Sequence, residues 1–519
     1  MVNPQNPLKQ PAHALTESID VESVLGRLKA RISRITSDSR AVHPGDSFAA
    51  YPGEAKDGRA FIPDAIKRGA GSVLWDNDTF QWPDEWNAPN LGLADLKQQL
   101  GFIADHVYEH PSRNLWCVGV TGTNGKTSCA HWIARALTAE GRTSAVAGTL
   151  GNGLYGTIEP ALNTTPDAAA LHEMMQRWLK SGAKSAAMEV SSHGLVQGRV
   201  NGVEFDVALF TNLTRDHLDY HRTMDAYGAA KARLFDWPTL KCAVINVDDP
   251  FGATLVERCN ARGVRVITYG RSTGDVTTRS LTVGVDGISG TVSTPWGTAD
   301  FSSPLVGAFN VSNLLGVLGV LLASDVPLER AITQIARFES IAGRMQKVST
   351  SGQPLVVVDY AHTPDALEKV LGALRPIADG RKGKLIVVFG CGGERDPGKR
   401  PEMGAIAARI ADRVVITSDN PRSEEPQSII DSIAAGAPGT SGNSGASGLS
   451  NGAAASRAAI ETTVRRDEAI GSAVARASEQ DIVLIAGKGH EPYQEIAGVR
   501  HPFSDSDHAR TALAAWRQS

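Results

Sequence analysis

Cysteine is scarce in this chain. The five residues Cys117, Cys129, Cys242, Cys259 and Cys391 in 519 positions are odd in number, scattered and without Cys-x-x-Cys spacing, which argues against a disulfide framework or a zinc site. Reduced thiols and a cytoplasmic location are the expectation. Long apolar runs are missing too. The most apolar helix candidate, Val311 to Ala323, is too short to cross a bilayer. The opening stretch to Gly26 has no continuous apolar segment like that of a secretory signal, so no membrane insertion is expected. Charge is nearly balanced, with 52 Lys and Arg against 56 Asp and Glu, a net of −4. That balance gives nucleic acid no global attraction, so a polyanionic ligand must be held by local positive groups. What is present, 42% hydrophobic and 21% charged residues, suits a soluble globular protein. The length calls for about three domains.

The most informative stretch is Val118-Gly-Val-Thr-Gly-Thr-Asn-Gly-Lys-Thr-Ser128. Leu115 to Val120 reads as a buried strand and Cys129 to Gly141 as a helix, so the glycine loop lies between strand and helix. Backbone N–H groups of Gly122, Thr123, Asn124 and Gly125 can face phosphate oxygens at the positive helix end. Lys126 would reach the β- and γ-phosphates, and the Thr127 hydroxyl would bind Mg²⁺. The general phosphate-loop pattern is not fully met, because Val120 stands six positions before the lysine where a glycine is usual.

The chain divides into three α/β blocks. Residues 1–110 read as a small N-terminal α/β module. Residues 111–345 read as a central, mostly parallel sheet with helices, with further strands at Ser185 to Val190, Val207 to Leu213, Ala243 to Val247 and Val264 to Tyr269. Alternation with Gly and Thr between Ser280 and Phe301 suggests an antiparallel excursion. Residues 346–519 read as a Rossmann-like doubly wound domain, with strands at Leu355 to Asp359, Lys384 to Gly390, Arg413 to Thr417 and Ile482 to Ala486. A Gly/Ser-rich insertion at about 434–457 has too little apolar bulk to pack and is expected to be mobile.

Polar residues gather where these strands end, the edge at which open α/β sheets collect ligands. Glu189 is a natural metal carboxylate or a helix cap. His217, between Asp216 and Asp219, is a metal ligand or a structural histidine. Asn163-Thr-Thr-Pro-Asp167 suits hydrogen bonding to a sugar or phosphate, or capping. Asp359 could accept from ribose hydroxyls or cap the next helix. In the third block Gly392-Gly-Glu-Arg-Asp396, Asp419-Asn-Pro-Arg422 and Gly487-Lys-Gly-His-Glu491 all sit at strand ends.

Taken together, VTGTNGKTS, NTTPD, MEVSSHGLVQGRV, NLTRDHLDYH, the lysine of AYGAAKARLF, DYAHTPD, GCGGERDPGKRPEM, SDNPR and GKGHE resemble the Mur ligases in order and spacing. The best match is the branch that adds the third residue of the peptidoglycan peptide. The likeness runs from about Ile35 to His508. It implies an ATP-dependent amide ligase acting through an acyl phosphate. The implied substrates are UDP-N-acetylmuramoyl-L-alanyl-D-glutamate and a diamino acid. A folylpolyglutamate-type carboxylate–amine ligase is the alternative.

By resemblance, Gly122 to Thr127 would hold ATP, with Asn313, Arg344 and Asp359 around base and ribose. Thr127 and Glu189 would bind one Mg²⁺, and Glu189, His217 and Lys231 a second, Lys231 as a CO₂-derived carbamate. Lys126, Lys231 and His217 form the expected catalytic set. Ser37 and Ser39 would meet the uridine end of the nucleotide-sugar, and Thr164, Thr165, Ser191, Gln197 and Arg199 the part nearer the chemistry. Arg395, Asp419, Asn420, Pro421, Arg422, Gly487 and Glu491 would receive the amino acid. In that set Arg422 favours meso-diaminopimelate over L-lysine, because a guanidinium can fork onto a second carboxylate.

Overall fold

The computed structural model describes residues 20–437 and 458–516, apart from positions 29, 55 and 162. Most of the expected insertion, from residue 438 on, therefore lies outside the described residues. The chain forms two compact units. The first runs to Thr278 and takes in Val292–Ala299 and Ser312–Gln334; the second comprises Arg279–Thr291, Asp300–Val311 and the chain from Ile335.

The first unit holds two sheets. Strands β1 (Ile35–Thr36), β2 (Ser47–Ala50), β3 (Ser72–Asp76) and β4 (Asn90–Leu93) pair in chain order, all parallel. The larger sheet contains β5 (Trp116–Thr121), β6 (Ser144–Gly148), β7 (Gly151–Leu154), β8 (Thr157–Glu159), β9 (Ser185–Glu189), β10 (Val207–Phe210), β11 (Cys242–Asn246) and β12 (Arg265–Tyr269), in the order β12-β11-β10-β5-β9-β6-β7-β8. From β12 to β6 every pair is parallel, while β7 and β8 add antiparallel edges. The parallel strands are buried on both faces, so they read in sequence as apolar runs. Cys117, Met188, Phe205, Phe210, Phe235 and Ile245 share one core. Strands β6 to β8 were not foreseen. Gly151 and Gly153, at φ 142° and 156°, remove the apolar alternation that would have marked β7.

Strands β13 (Thr277–Gly284), β14 (Gly287–Thr294) and β15 (Gly297–Ser303) follow, joined by two-residue connections. Links that short allow only antiparallel pairing, which agrees with the expected excursion.

In the second unit β16 (Gln346–Lys347), β17 (Leu355–Asp359), β18 (Leu385–Phe389), β19 (Arg413–Thr417), β20 (Ala459–Thr463) and β21 (Ile482–Ala486) take the order β16-β17-β21-β18-β19-β20. All pairs but β16–β17 are parallel. Successive residues face opposite cores: Val357, Val387 and Leu484 pack with Leu371 and Met403, whereas Val356, Val388 and Val483 pack with Ile470 and Val474. Helices thus cover both faces, as in a doubly wound unit. A hairpin of β22 (Tyr493–Ile496) and β23 (Val499–Pro502) follows β21.

One ion pair ties this unit together. Arg466 and Asp505, each the first residue of its helix, are fully buried and paired through two contacts of 2.7 Å. Arg466 also donates to the carbonyls of Ala486 at 2.9 Å and Ser418 at 3.5 Å, at the ends of β21 and β19. A buried charge that loses its partner costs about 3–5 kcal/mol, whereas an apolar pair of similar volume can be neutral. Asp505→Ala is therefore expected to destabilise the second unit by about that amount, and Arg466→Met with Asp505→Leu by clearly less. Thermal melting of the three proteins checks this; equal losses in single and double variants would contradict it.

Candidate active site

The glycine loop leaves β5 between the ends of β9 and β10. Gly122 (φ 148°) and Gly125 (φ 86°) adopt backbone angles that favour glycine. A Cβ on Gly122 would fall 1.9 Å from Thr211 Oγ1, and one on Gly125 2.5 Å from Asn313 Oδ1. Strand β10's extension braces the loop: Thr123 N donates to Asn212 O (2.8 Å), Asn124 N to Asn212 Oδ1 (3.0 Å), and Thr211 Oγ1 to Asn124 O (2.6 Å). Gly125 caps the helix Lys126–Ala139, whose positive end thus opens at the loop.

Glu189 ends β9, beside Val120 in register. Its carboxylate is almost fully buried and accepts from Thr127 Oγ1 (2.9 Å), Thr149 N (2.7 Å) and Thr149 Oγ1 (3.3 Å). Thr149 Oγ1 meets Thr164 Oγ1 at 3.1 Å, and Thr165 Oγ1 donates to Glu189 O at 2.9 Å. The Ser191 hydroxyl joins Thr165 at 3.0 Å and caps the next short helix. Two oxygens on adjacent corners of an octahedron with ligands at about 2.0–2.1 Å are about 2.9 Å apart, so Thr127 and Glu189 suit a small hard cation. Among the described residues no group of three or more His, Cys, Asp or Glu is placed to hold a metal ion. Such a cation would take its other oxygens from phosphate and water.

Two lysines converge on one carbonyl. Gly122 O accepts from Lys126 Nζ at 2.9 Å and from Lys231 Nζ at 2.8 Å. Lys231 is buried in the helix Met224–Ala232, its Nζ 4.4 Å from the centre of the Tyr227 ring. Burial, and next the charge of Lys126, hold its pKa well below the lysine range, against the pull of Asp216. His217 stands nearby at φ 53°, its ring 6.0 Å from Tyr227 and 4.9 Å from His193. Burial lowers its pKa; Asp216 opposes the shift and both lysines add to it.

Gln197 and Arg199 line a cavity of about 290 Å³ with Tyr51, Glu54, Lys97, Asn163 and Asp167. Arg199 Nε donates to Gln197 Oε1 (2.8 Å) and Nη1 to Thr165 O (2.9 Å), while Gln197 donates to Glu54. Ser37 reaches this wall through Asp167 Oδ1 at 3.2 Å. Ser39 begins a short turn and does not line the cavity. Lys97 and Tyr51 were missed by sequence reading, since each looks like an ordinary helix or strand-end residue until the sheets assemble.

The second unit gathers its own cluster at the ends of β17, β18, β19 and β21. Asp359 is buried with both oxygens engaged, by Met345 N (2.7 Å) and Ala361 N (2.8 Å), so it latches backbone there. Burial raises its pKa against the opposing charge of Arg344. Arg344 lies over Tyr360, 4.9 Å from the ring centre. Asn420 Nδ2 donates to Glu491 Oε2 (2.8 Å), and a Cβ on Gly487 (φ 116°) would lie 2.5 Å from Asp419 Oδ2. Pro421 is buried. Arg422, at φ 53°, is held by its N–H to Glu495 O (3.0 Å) and by its guanidinium to Gly393 O. Arg395 is exposed, beside Arg422 across Gly392. Lys488 and Arg466, not foreseen from sequence, lie beneath this cluster.

Residues 31–108 match the Mur ligase family catalytic domain, 120–321 the Mur ligase middle domain and 343–489 the Mur ligase glutamate ligase domain. A UDP-N-acetylmuramoyl-L-alanyl-D-glutamate–2,6-diaminopimelate ligase of Chromobacterium violaceum is 51% identical over 95% of this chain and 97% of its own length. The chain belongs to the Mur ligase family. A Neisseria meningitidis serogroup B protein of the same name is 48% identical over 92% of this Mur ligase and 94% of its own length. A solved structure, again of a UDP-N-acetylmuramoyl-L-alanyl-D-glutamate–2,6-diaminopimelate ligase, superposes with a TM-score of 0.67 at 35% identity, covering 93% of this Mur ligase and 95% of that chain.

The helix that follows the loop carries a further titratable group. Burial lowers the pKa of His131 from 6.5 to about 4, and its Nε2 has no hydrogen-bond partner. The unfolded chain takes up this proton near pH 6.5 and the folded chain only near pH 4, so stability falls as pH drops through that window and is unaffected above it. Denaturant titrations at pH 7 and pH 5 should show His131→Leu losing about 2 kcal/mol less than the parent between the two. Equal losses would contradict this.

Proposed function

We propose that this Mur ligase joins meso-diaminopimelate to the D-glutamyl residue of UDP-N-acetylmuramoyl-L-alanyl-D-glutamate, with ATP converted to ADP and phosphate. The observation that carries the choice of amino acid is Arg422, held by its N–H to Glu495 O and by its guanidinium to Gly393 O, in the strand-end cluster where Asn420 donates to Glu491. A guanidinium in a cluster that also holds a carboxylate suits a ligand with an amine and a carboxylate at its far end; L-lysine lacks that second carboxylate.

In this reading the γ-carboxylate of D-glutamate attacks the γ-phosphorus of ATP, an O–P bond forms, the bond to ADP breaks, and an acyl phosphate results. The diamino acid's amine then attacks the acyl carbon, and phosphate departs as the amide forms. Lys126 and the N–H groups from Gly122 to Thr127 hold the phosphates, offsetting repulsion between two anions. Gln197 and Arg199, with Thr164, Thr165 and Ser191, orient the nucleotide-sugar; Ser37 and Ser39 lie toward its uridine. Asn313, Arg344 and Asp359 serve the nucleoside of ATP. Thr127 and Glu189 would hold Mg²⁺, with a second at Glu189, His217 and Lys231, and these ions supply neutralisation of phosphate charge. A buried Lys231 amine, its pKa lowered by burial, suits carbamate formation with CO₂, which would turn it into an oxygen ligand. Domain borders near residues 110 and 345, and a cytoplasmic location, complete the reading.

Incubation with the nucleotide-dipeptide, ATP and meso-diaminopimelate should give a product heavier by one diaminopimelyl residue, and L-lysine little or none. Lys126→Met should lower kcat by about 10²–10³. A protein that joins neither amino acid would rule the assignment out. Arg422→Ala should raise KM for meso-diaminopimelate about 10–100-fold and leave KM for ATP unchanged; parallel changes in both constants would contradict its assigned role.

A further inference from the structure

We propose that Lys488 is a positioning residue for the amino-acid substrate: its ammonium sets Glu491 and Asn420 so that one oxygen of Glu491 is left for an ammonium group of the diamino acid. The proposal rests on the reading of this cluster as the amino-acid pocket.

Lys488 follows β21, and its side chain is 0% exposed. Nζ donates to Asn420 Oδ1 and to Glu491 Oε2, both at 3.0 Å, and lies 5.5 Å from the centre of the Tyr493 ring. An ammonium this deeply buried is kept only by its acceptors, so its place is fixed by these two groups. Asn420 Oδ1 also accepts from Glu495 N at 2.9 Å. Lys488 and that N–H can only donate, so the amide oxygen must face them and the amide nitrogen must face Glu491, which it meets at 2.8 Å. Glu491 Oε2 is thus taken twice. Oε1 receives no hydrogen bond from a described residue, and the side chain is 22% exposed, so Oε1 is the acceptor left for a ligand ammonium. Lys488 touches no ligand in this arrangement; it acts by preorganising a group that does.

The test compares Lys488→Met, Glu491→Gln and the double variant in the full chain, with KM measured for each of the three substrates and thermal melting alongside. Lys488→Met should raise KM for meso-diaminopimelate at least tenfold and leave KM for ATP and for the nucleotide-sugar within twofold. In the Glu491→Gln background the same change should alter KM less than twofold, because its effect runs through that carboxylate. Lys488→Gln keeps an N–H donor, should recover part of the affinity, and serves in place of Lys488→Met if the latter does not melt cooperatively. A folded Lys488→Met with KM for meso-diaminopimelate within twofold of the parent overturns the proposal. So do an equal rise in all three constants, full additivity with Glu491→Gln, or failure of both Lys488 variants to fold, which assigns the residue to stability alone. A parent protein that joins no diamino acid to the nucleotide-sugar instead removes the proposed function, before any variant is compared.

Discussion

Parallel strands cannot be joined by tight turns, and that constraint organises both units. Each strand must be followed by a crossover, so connecting loops accumulate at the carboxyl edge of the sheet. In the first unit the neighbours β10, β5 and β9 place Asn212, the glycine loop and Glu189 side by side. In the second, β17, β21, β18 and β19 do the same for Asp359, Gly487, Gly392 and Asp419. Groups far apart in sequence become neighbours because their strands are.

The two edges differ in electrical character. In the first unit two lysine side chains share the Gly122 carbonyl, and burial lowers the pKa of Lys231. In the second unit buried cations support acids, Lys488 under Glu491 and Arg466 near Asp419, while Arg395 is exposed. The first arrangement suits a highly charged anion, the second a zwitterion with more than one ionic end.

Sequence carried much of this. Most buried parallel strands announced themselves as apolar runs, and polar motifs at their ends marked the edge where chemistry gathers. Strands β6 to β8 and the β22–β23 hairpin did not, because glycine and polar residues blur a period-two pattern. Single charged residues such as Lys97, Arg466 and Lys488 were also illegible. A buried cation and a solvated one are written with the same letter, and only packing separates them. Asp359 shows the same limit from the other side: its strand-end position does not reveal that each of its oxygens accepts a backbone N–H, while a carboxylate keeps further lone pairs for a ligand hydroxyl.

The Arg466–Asp505 pair also bears on how the polypeptide emerges from the ribosome. Asp505 lies 39 positions after Arg466, so the guanidinium that belongs beneath β19 and β21 waits for its counter-ion until translation has moved well past it. A nascent chain stalled in that interval would have to bury an uncompensated cation or leave both strand ends unsealed. The second unit thus closes late: until the helix that begins at Asp505 has been made and docks, the ends of β19 and β21 lack the ion pair that seals them.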